Sequence, residues 1–521
     1  MRLRTAGFTL AVDIDTIKAG PDETPIPWID PYKMVSALAE CDKLDLIFPD
    51  ECNLLEFWNR FSKIFPDHWI FEAASAGKFN LARTLPFYSH GDEGRGKRKK
   101  GILLWSMRGA VGQGSQLFNS LHSIDDRAKK MGLNMGGSLK SRFLHVAVPK
   151  HIYGKGAESV WDDIAFQIGS SYRRLQTEGF LYNGRRFHAA CLGLTGDNPF
   201  LAKVGHLLRN YARVEKKIGD VAGHGICWVC MAGTPNVPFE NMNMYPEWSH
   251  TLFEVPPWPE LPRFFEGLGC SCDDETLPSN LYFDAWHNFH GGVGKNMVAS
   301  TAAEILESMD TKESLDTRID EFNDAYKAWR KDSKLTLHYG QIDLNLFGLE
   351  SGMQAWPVGA WSKFNDTRVL LSFFEDYLRK RQYVITEVTE LALEGVASAN
   401  LCFRVCYSAG YWMSSEEAAK AGKAGMRFLC CYARLAEASL RQNRLRYPLM
   451  PKIHYLHHGF RDMLLLSRQH PWVPNMLHSS VQLDEDMVGR IARLRRRVGS
   501  HLLMRRTLQR YLISAHLAIF T

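Results

Sequence analysis

Four groups of residues in this 521-residue chain have types and spacings that could do chemistry. The stretch Leu85–Gly94 (LPFYSHGDEG) ends an apolar run at Gly91 and then sets Asp92 and Glu93 side by side. Leu194–Pro199 (LTGDNP) repeats the pattern with Gly196 and Asp197. Glycine permits a tight turn at the end of a buried strand, so each pair could present a metal-binding carboxylate at a sheet edge. Ordinary Asx turns are the competing reading, because Gly-Asp and Asp-Asn-Pro are common turn formers. The third group is GHGICWVC, whose Cys227 and Cys230 have the spacing of two thiolate ligands of a tetrahedral zinc. Cys270 and Cys272, His224, or His287 and His290 are the candidates to complete it; unmetallated, half-buried cysteines are the alternative. The fourth group is Asn280–Lys295 (NLYFDAWHNFHGGVGK), where Asp284, His287 and His290 fall on one face of a helix that starts near Asp284. Its GGVGK is not a phosphate loop, since Phe289 stands where the first glycine belongs and Asn296 replaces the Ser or Thr.

The elements that must position these residues can be read from periodicity. Strands are predicted at Leu85–Ser89, Gly101–Met107, Arg142–Val148 and Arg186–Leu194, with a helix over Glu158–Glu178. Strand, acid, basic tract (Arg95–Lys100), strand is how a ribonuclease-H-like sheet begins. Three strands, a helix and a fourth strand continue its order. The expected fold is therefore an α/β ribonuclease-H-like core with a mixed sheet over residues 81–295. A helical N-terminal region, 1–80, precedes it, on the amphipathic runs YKMVSALAECDKL and LLEFWNRFSKI. Residues 296–480 read as an almost wholly helical insertion. Within it, His454 and His458 of PKIHYLHH are expected to be packing or capping residues. Residues 481–521 form a C-terminal helix that opens on Asp484-Glu485-Asp486 and carries eight arginines between Arg490 and Arg510. Such a face is a phosphate track or simply a solvated basic surface.

Composition narrows the class. The chain is long enough for several domains, and 45% hydrophobic and 23% charged residues are ordinary for a globular protein. A net charge of +6 is mild, so only local basic clusters speak to partners. No run of eighteen apolar residues could span a membrane. The apolar run near the N-terminus meets Asp13 and Asp15 at once, unlike a secretory signal. Eleven irregularly spaced cysteines do not make a disulfide framework and suit a reducing compartment.

Taken together, PWIDPYKMVSAL, RTLPFYSHGDEG, LTGDNPF, the CWVC knuckle, DAWHNFHGGVGK, GAWSKFNDT, RYPLMPKIHYLHH and LDEDMVGRIARLRRRV resemble a multicopy family of protist genomes. Through it the chain resembles the cut-and-paste DDE transposases of the Plavaka/KDZ and CACTA groups. The resemblance implies that Asp92 is the first catalytic acid and Asp197 the second. It makes Asp284 and His287 a D/C-x-x-H box, residues 296–480 the helical insertion, and one of Asp484–Asp486, with Glu485 preferred, the third acid. It implies two Mg²⁺ or Mn²⁺ ions held by Asp92, Asp197 and Glu485, roughly 4 Å apart as in other two-metal sites. Lys97, Arg98, Lys99 and Lys100, with Arg493, Arg495, Arg496 and Arg497, would grip DNA. The implied function is a transposase-like recombinase or nuclease that cleaves and joins phosphodiesters, a degenerate or domesticated copy included. The alternatives are a catalytically inactive, transposase-derived DNA-binding protein and a helical scaffold with a structural Zn²⁺. The expected location is nuclear or cytoplasmic, with DNA as partner, homo-oligomers allowed, and neither a membrane nor a small-molecule cofactor.

Overall fold

The computed structural model describes residues 7–521 except 8, 50–53, 79, 96–100, 155, 215–224, 310–312, 351, 355, 381–384, 497 and 500–501. Lys97, Arg98, Lys99, Lys100, Arg497 and His224 therefore lie outside the described residues.

The strands are β1 (Asp15–Ala19), β2 (Thr24–Trp28), β3 (Thr84–Arg95), β4 (Gly101–Gly109), β5 (Phe143–Pro149), β6 (Phe180–Tyr182) and β7 (Arg185–Gly196). They form one mixed sheet in the order β1-β2-β5-β4-β3-β7-β6. Neighbours run antiparallel except β3 and β7, which are parallel. Alongside the last residues of β7, Leu281 makes an isolated parallel bridge to Leu194. The result is a mixed α/β core.

Strands β4 and β5 are buried along their whole length, which explains their unbroken apolar sequences, GILLWSM and FLHVAV. In β3 the two-residue alternation assigns the faces. Phe87 and Ser89 meet Tyr172 of the helix Glu158–Thr177, the Phe87 and Tyr172 rings lying 4.8 Å apart. Val160, Trp161, Ile164, Ile168, Tyr172 and Leu175 make the buried stripe of that helix. Each such side chain contributes roughly 1.5–3 kcal/mol by leaving water. On the opposite face of β3, Asp92 reaches Glu485, and a Cβ on Gly94 would lie 2.7 Å from Val488. Both residues belong to the helix Gln482–Arg495, which covers that face.

Four expectations about elements are corrected. The N-terminal region is not simply helical: besides Pro31–Glu40 and Leu54–Ile64 it contributes the β1–β2 hairpin to the sheet edge. Pro25 and Pro27 hide β2 from a propensity reading, because proline lacks a ladder donor; both lie where β2 pairs with β1 alone, its one pairing to β5 being at Trp28. Second, β3 does not stop at Ser89 but runs to Arg95, with Asp92 inside the strand and paired to Leu104. Third, the region 296–480 is not wholly helical. Its helices are Gly294–Ser308, Leu315–Ser333, Asn365–Arg379, Glu387–Ser408, Ser415–Arg441 and Pro451–Leu466, and between the second and third of them the described residues form only one short 3-10 turn, Asn345–Phe347. A two-stranded pair, β8 (Trp412–Ser414) with β9 (Trp472–Pro474), adds to them. Fourth, the C-terminal segment is two helices, Gln482–Arg495 and Leu503–Phe520. One continuous hydrophobic core runs from the sheet into the helical region.

Candidate metal centres

The parallel pairing of β3 and β7 sets Gly91 opposite Gly196, so Asp92 and Asp197 emerge level with one another on adjacent strands. Both glycines are required by one aromatic ring. A Cβ on Gly91 would lie 2.0 Å from Phe200, and one on Gly196 would lie 2.5 Å from it. Asp197 caps the short helix Asn198–Val204, its Oδ1 accepting from the Phe200 N–H at 2.8 Å, and this brings the ring back over the glycines. Gly91→Ala is expected to cost about 1–3 kcal/mol by overpacking against Phe200, read as a lower urea midpoint.

The helix Gln482–Arg495 brings the acid triplet to this edge. Consecutive helical residues point about 100° apart, so the three acids have three fates. Asp484 lies on the buried stripe with Met487, Val488 and Ile491, in ion-pair contact with Arg108 at 3.3 Å and Arg142 at 3.4 Å. Asp486 accepts from Ser138 and Arg490. Glu485 turns to the acids, hydrogen-bonded to Asp92. Asp484→Asn would leave two buried guanidinium groups without their anion. It is expected to cost about 3–5 kcal/mol in chemical denaturation.

Asp284 and His287 complete the group. Asp284 is buried, its Oδ1 accepting from the N–H groups of Trp286 (2.9 Å) and Val481 (3.1 Å). Its Oδ2 accepts from the His287 N–H at 2.8 Å and contacts the His287 Nδ1 at 2.7 Å. The imidazole is thereby aimed so that its Nε2 lies 3.2 Å from Glu485 Oε1. Burial disfavours the imidazolium, but hydrogen bonds to Asp284 and Glu485 outweigh it and raise the His287 pKa well above its ordinary value. Burial also works against a charged Glu485, yet the hydrogen bond and charge of His287 pull that carboxyl down to about 2. Asp92 goes the other way, pushed well up by burial and by the Glu485 charge. Asp197 is raised by burial, with the Glu485 and Asp284 charges adding to it. The hydrogen-bonded carboxyls of Asp92 and Glu485 are thus pushed apart, Asp92 up and Glu485 down, and the Asp197 charge adds to the rise at Asp92. The three carboxylates come from three separate elements and shift one another by charge, although among the described residues they are not a group whose ligand atoms all lie within 4.8 Å of one another. His290 does not join them; it is buried, with ring contacts to Trp286 and Phe403.

A second cluster lies nearby. Cys227, Cys230, His454 and His458 are buried, with ligand atoms all within 4.8 Å of one another. Cys230 Sγ lies 3.3 Å from His454 Nε2 and 3.6 Å from His458 Nε2, Cys227 Sγ 3.7 Å from His458 Nε2, and the two Nε2 atoms 3.1 Å apart. A tetrahedral zinc with Zn–S of about 2.3 Å and Zn–N of about 2.0 Å has edges of roughly 3.3–3.8 Å, so this Cys2His2 set could hold a metal such as zinc. Burial resists a thiolate at Cys227, but hydrogen bonds from Cys230 and the two histidines bring its pKa well below the ordinary value.

Compared with protein-family models and with curated proteins, the chain matches none.

The second cluster corrects two expectations. His454 and His458 are not mere packing residues, and Cys270 and Cys272 do not complete the knuckle. Cys272 is exposed and Cys270 half-buried, and neither belongs to the cluster. The missed signal was the pairing of C-x-x-C with H-x-x-x-H, the two halves of a Cys2His2 site, here 224 residues apart between Cys230 and His454. Among the proposed nucleic-acid contacts, Arg493 and Arg496 are exposed. Arg495 is corrected: it lies on the buried stripe of its helix, 5% exposed, and cannot reach a phosphate on the surface. Among the described residues no helix is long and apolar enough to cross a membrane.

Proposed function

We propose that this chain is a metal-dependent enzyme of DNA strand cleavage and joining, of the DDE-transposase type. The observation that carries the reading is the meeting of Asp92, Asp197 and Glu485, from a central strand, a strand end and a distant helix, around the Asp284–His287 pair. The strand arrangement supports it. Antiparallel β5-β4-β3 with β7 parallel to β3 would match the first four strands of a ribonuclease-H-like sheet, 3-2-1-4, with the isolated parallel bridge at Leu281 in place of a fifth and β1, β2 and β6 as additions.

On this reading Asp92, Asp197 and Glu485 would hold Mg²⁺ or Mn²⁺. The ions would supply activation of water or a 3′-hydroxyl and stabilisation of the leaving oxygen. Asp284, fixed by the N–H groups of Trp286, His287 and Val481, orients the His287 ring through its one contact with Nδ1, and His287 holds Glu485 in place. The exposed Arg493 and Arg496 would meet DNA phosphates, with the basic tract after β3 as a second contact. A nuclear site of action would follow. The Cys2His2 cluster, loaded with zinc, would tie the knuckle to the helix Pro451–Leu466.

The test is nicking of supercoiled DNA by the purified chain with Mg²⁺ or Mn²⁺. Salt-sensitive DNA binding without cleavage in either metal would favour the inactive, DNA-binding alternative.

A further inference from the structure

Lys452 lies beside the acid group and Lys295 beside Lys452, and among the described residues neither has an acid of its own. Lys452, in the first turn of the helix Pro451–Leu466, donates to the His287 carbonyl at 3.0 Å. Lys295 donates to the Trp361 carbonyl at 2.8 Å, its ammonium 5.2 Å from the Trp361 ring and 5.9 Å from that of Phe364. Both are partly buried, and among the described residues neither has a carboxylate within 4.0 Å. They sense the same neighbourhood. Burial lowers the pKa of both, the Lys452 charge lowers Lys295 further, and Asp284 and Asp197 draw Lys452 back up.

The backbone is shaped to hold Lys452. Trp286–Val293 is a π-helical segment that leaves helical geometry at Gly292 (φ −137°, ψ −105°). A Cβ on Gly292 would lie 2.6 Å from Lys452 Cδ and 2.9 Å from the His287 carbonyl oxygen. One on Gly291 would lie 2.5 Å from the Phe364 ring. The glycines of HGGVGK thus make no phosphate loop of the Walker kind. They clear a bed on which the Lys452 stem lies, with its ammonium against His287. Such π-bulges are frequent at functional sites. Partly desolvated ammonium groups without counter-ions are costly, and an incoming anion offsets that cost.

We propose that Lys452 and Lys295 form a phosphate seat that grips a backbone phosphodiester of the DNA strand lying in the acid site. The inference rests on the proposed function, and it assigns a binding role to two motifs, HGGVGK and PKIHYLHH, that the acids do not use. Cations on one side and a carboxylate-held metal on the other would fix a phosphodiester between them.

The test is binding of a duplex oligonucleotide of arbitrary sequence, followed by fluorescence anisotropy from 50 to 200 mM salt without added Mg²⁺ or Mn²⁺. Each phosphate contact contributes about 0.9 to the slope of log K against log salt. K452Q and K295Q are each expected to lower the slope by about 0.9 and the double variant by about 1.8. K452R keeps the wild-type slope. K327Q, at an exposed lysine paired with Asp324, also keeps it. Thermal unfolding identifies any variant that fails to fold; if K452Q does, K295Q decides. Wild-type slopes in folded K452Q and K295Q, with the wild type binding steeply, would overturn the seat and leave the proposed function standing. No DNA binding by the wild type at any salt would overturn both.

Discussion

Asp92→Asn and Glu485→Gln are each expected to lower Mg²⁺- or Mn²⁺-dependent DNA cleavage about a thousandfold or more. Metal-ion stabilisation of a phosphoryl transition state is worth several kcal/mol, and about 4 kcal/mol corresponds to roughly three orders of magnitude. Each substitution removes one anionic oxygen donor from a set of three. Neither should unfold the protein. Asp92 is buried, with its carboxyl pushed up by burial and by Glu485, so its neutral form is already favoured and the Asn amide replaces it at little cost. For Asp92→Asn, loss of cleavage with an unchanged or raised unfolding midpoint is the expected pairing; Glu485→Gln, which gives up its ion pair with His287, should lose cleavage with a lowered midpoint. His287→Ala, which removes the group that holds Glu485, should cost about 10–100-fold, as for other residues that orient metal ligands. The measurement is single-turnover nicking of supercoiled plasmid; wild-type rates in both Asp92→Asn and Glu485→Gln would remove the catalytic reading.

Loss of the metal from the Cys2His2 cluster should be the most damaging change to stability. Structural zinc contributes of order 10 kcal/mol to the folding of small zinc domains, comparable with the whole net stability of about 5–15 kcal/mol of an ordinary protein. Cys227→Ser or His454→Ala is therefore expected to yield little folded protein, and a strong chelator should lower the unfolding temperature of the wild type. Elemental analysis should find one zinc per folded chain; a well-folded, metal-free preparation would refute the site. The damage should reach the acids as well. His458 stacks on Phe283, ring centroids 5.2 Å apart at 25°, and Asp284 is the next residue along the chain. Cleavage should fall with zinc content, even at saturating Mg²⁺.

Local chemistry legible in the sequence went a long way here. The apolar runs of β3, β4, β5 and β7 and the stripe of Glu158–Thr177 were readable, because burial on one or two faces imposes a period on neighbouring residues. So were the two Gly-Asp pairs, since a glycine before an acid at the end of an apolar run reports a backbone constraint. The sequence could say that Asp92, Asp197, Asp284 and His287 were candidates, and that Cys227 and Cys230 were half of a metal site.

Tertiary structure decided what depends on rotation and on distance along the chain. Which member of Asp484-Glu485-Asp486 faces Asp92 is set by how the helix Gln482–Arg495 docks on β3, and one residue of rotation, about 100°, exchanges a buried ion pair for a site carboxylate. The same docking buries Arg495, which composition alone had placed among the DNA contacts. His454 and His458 acquired a role only when the fold returned their helix to the knuckle, 224 residues from Cys230. The glycines of HGGVGK became intelligible only once Lys452 lay across them. Residue type and local spacing name what a side chain can do, and the packing of distant elements chooses which of those abilities meet.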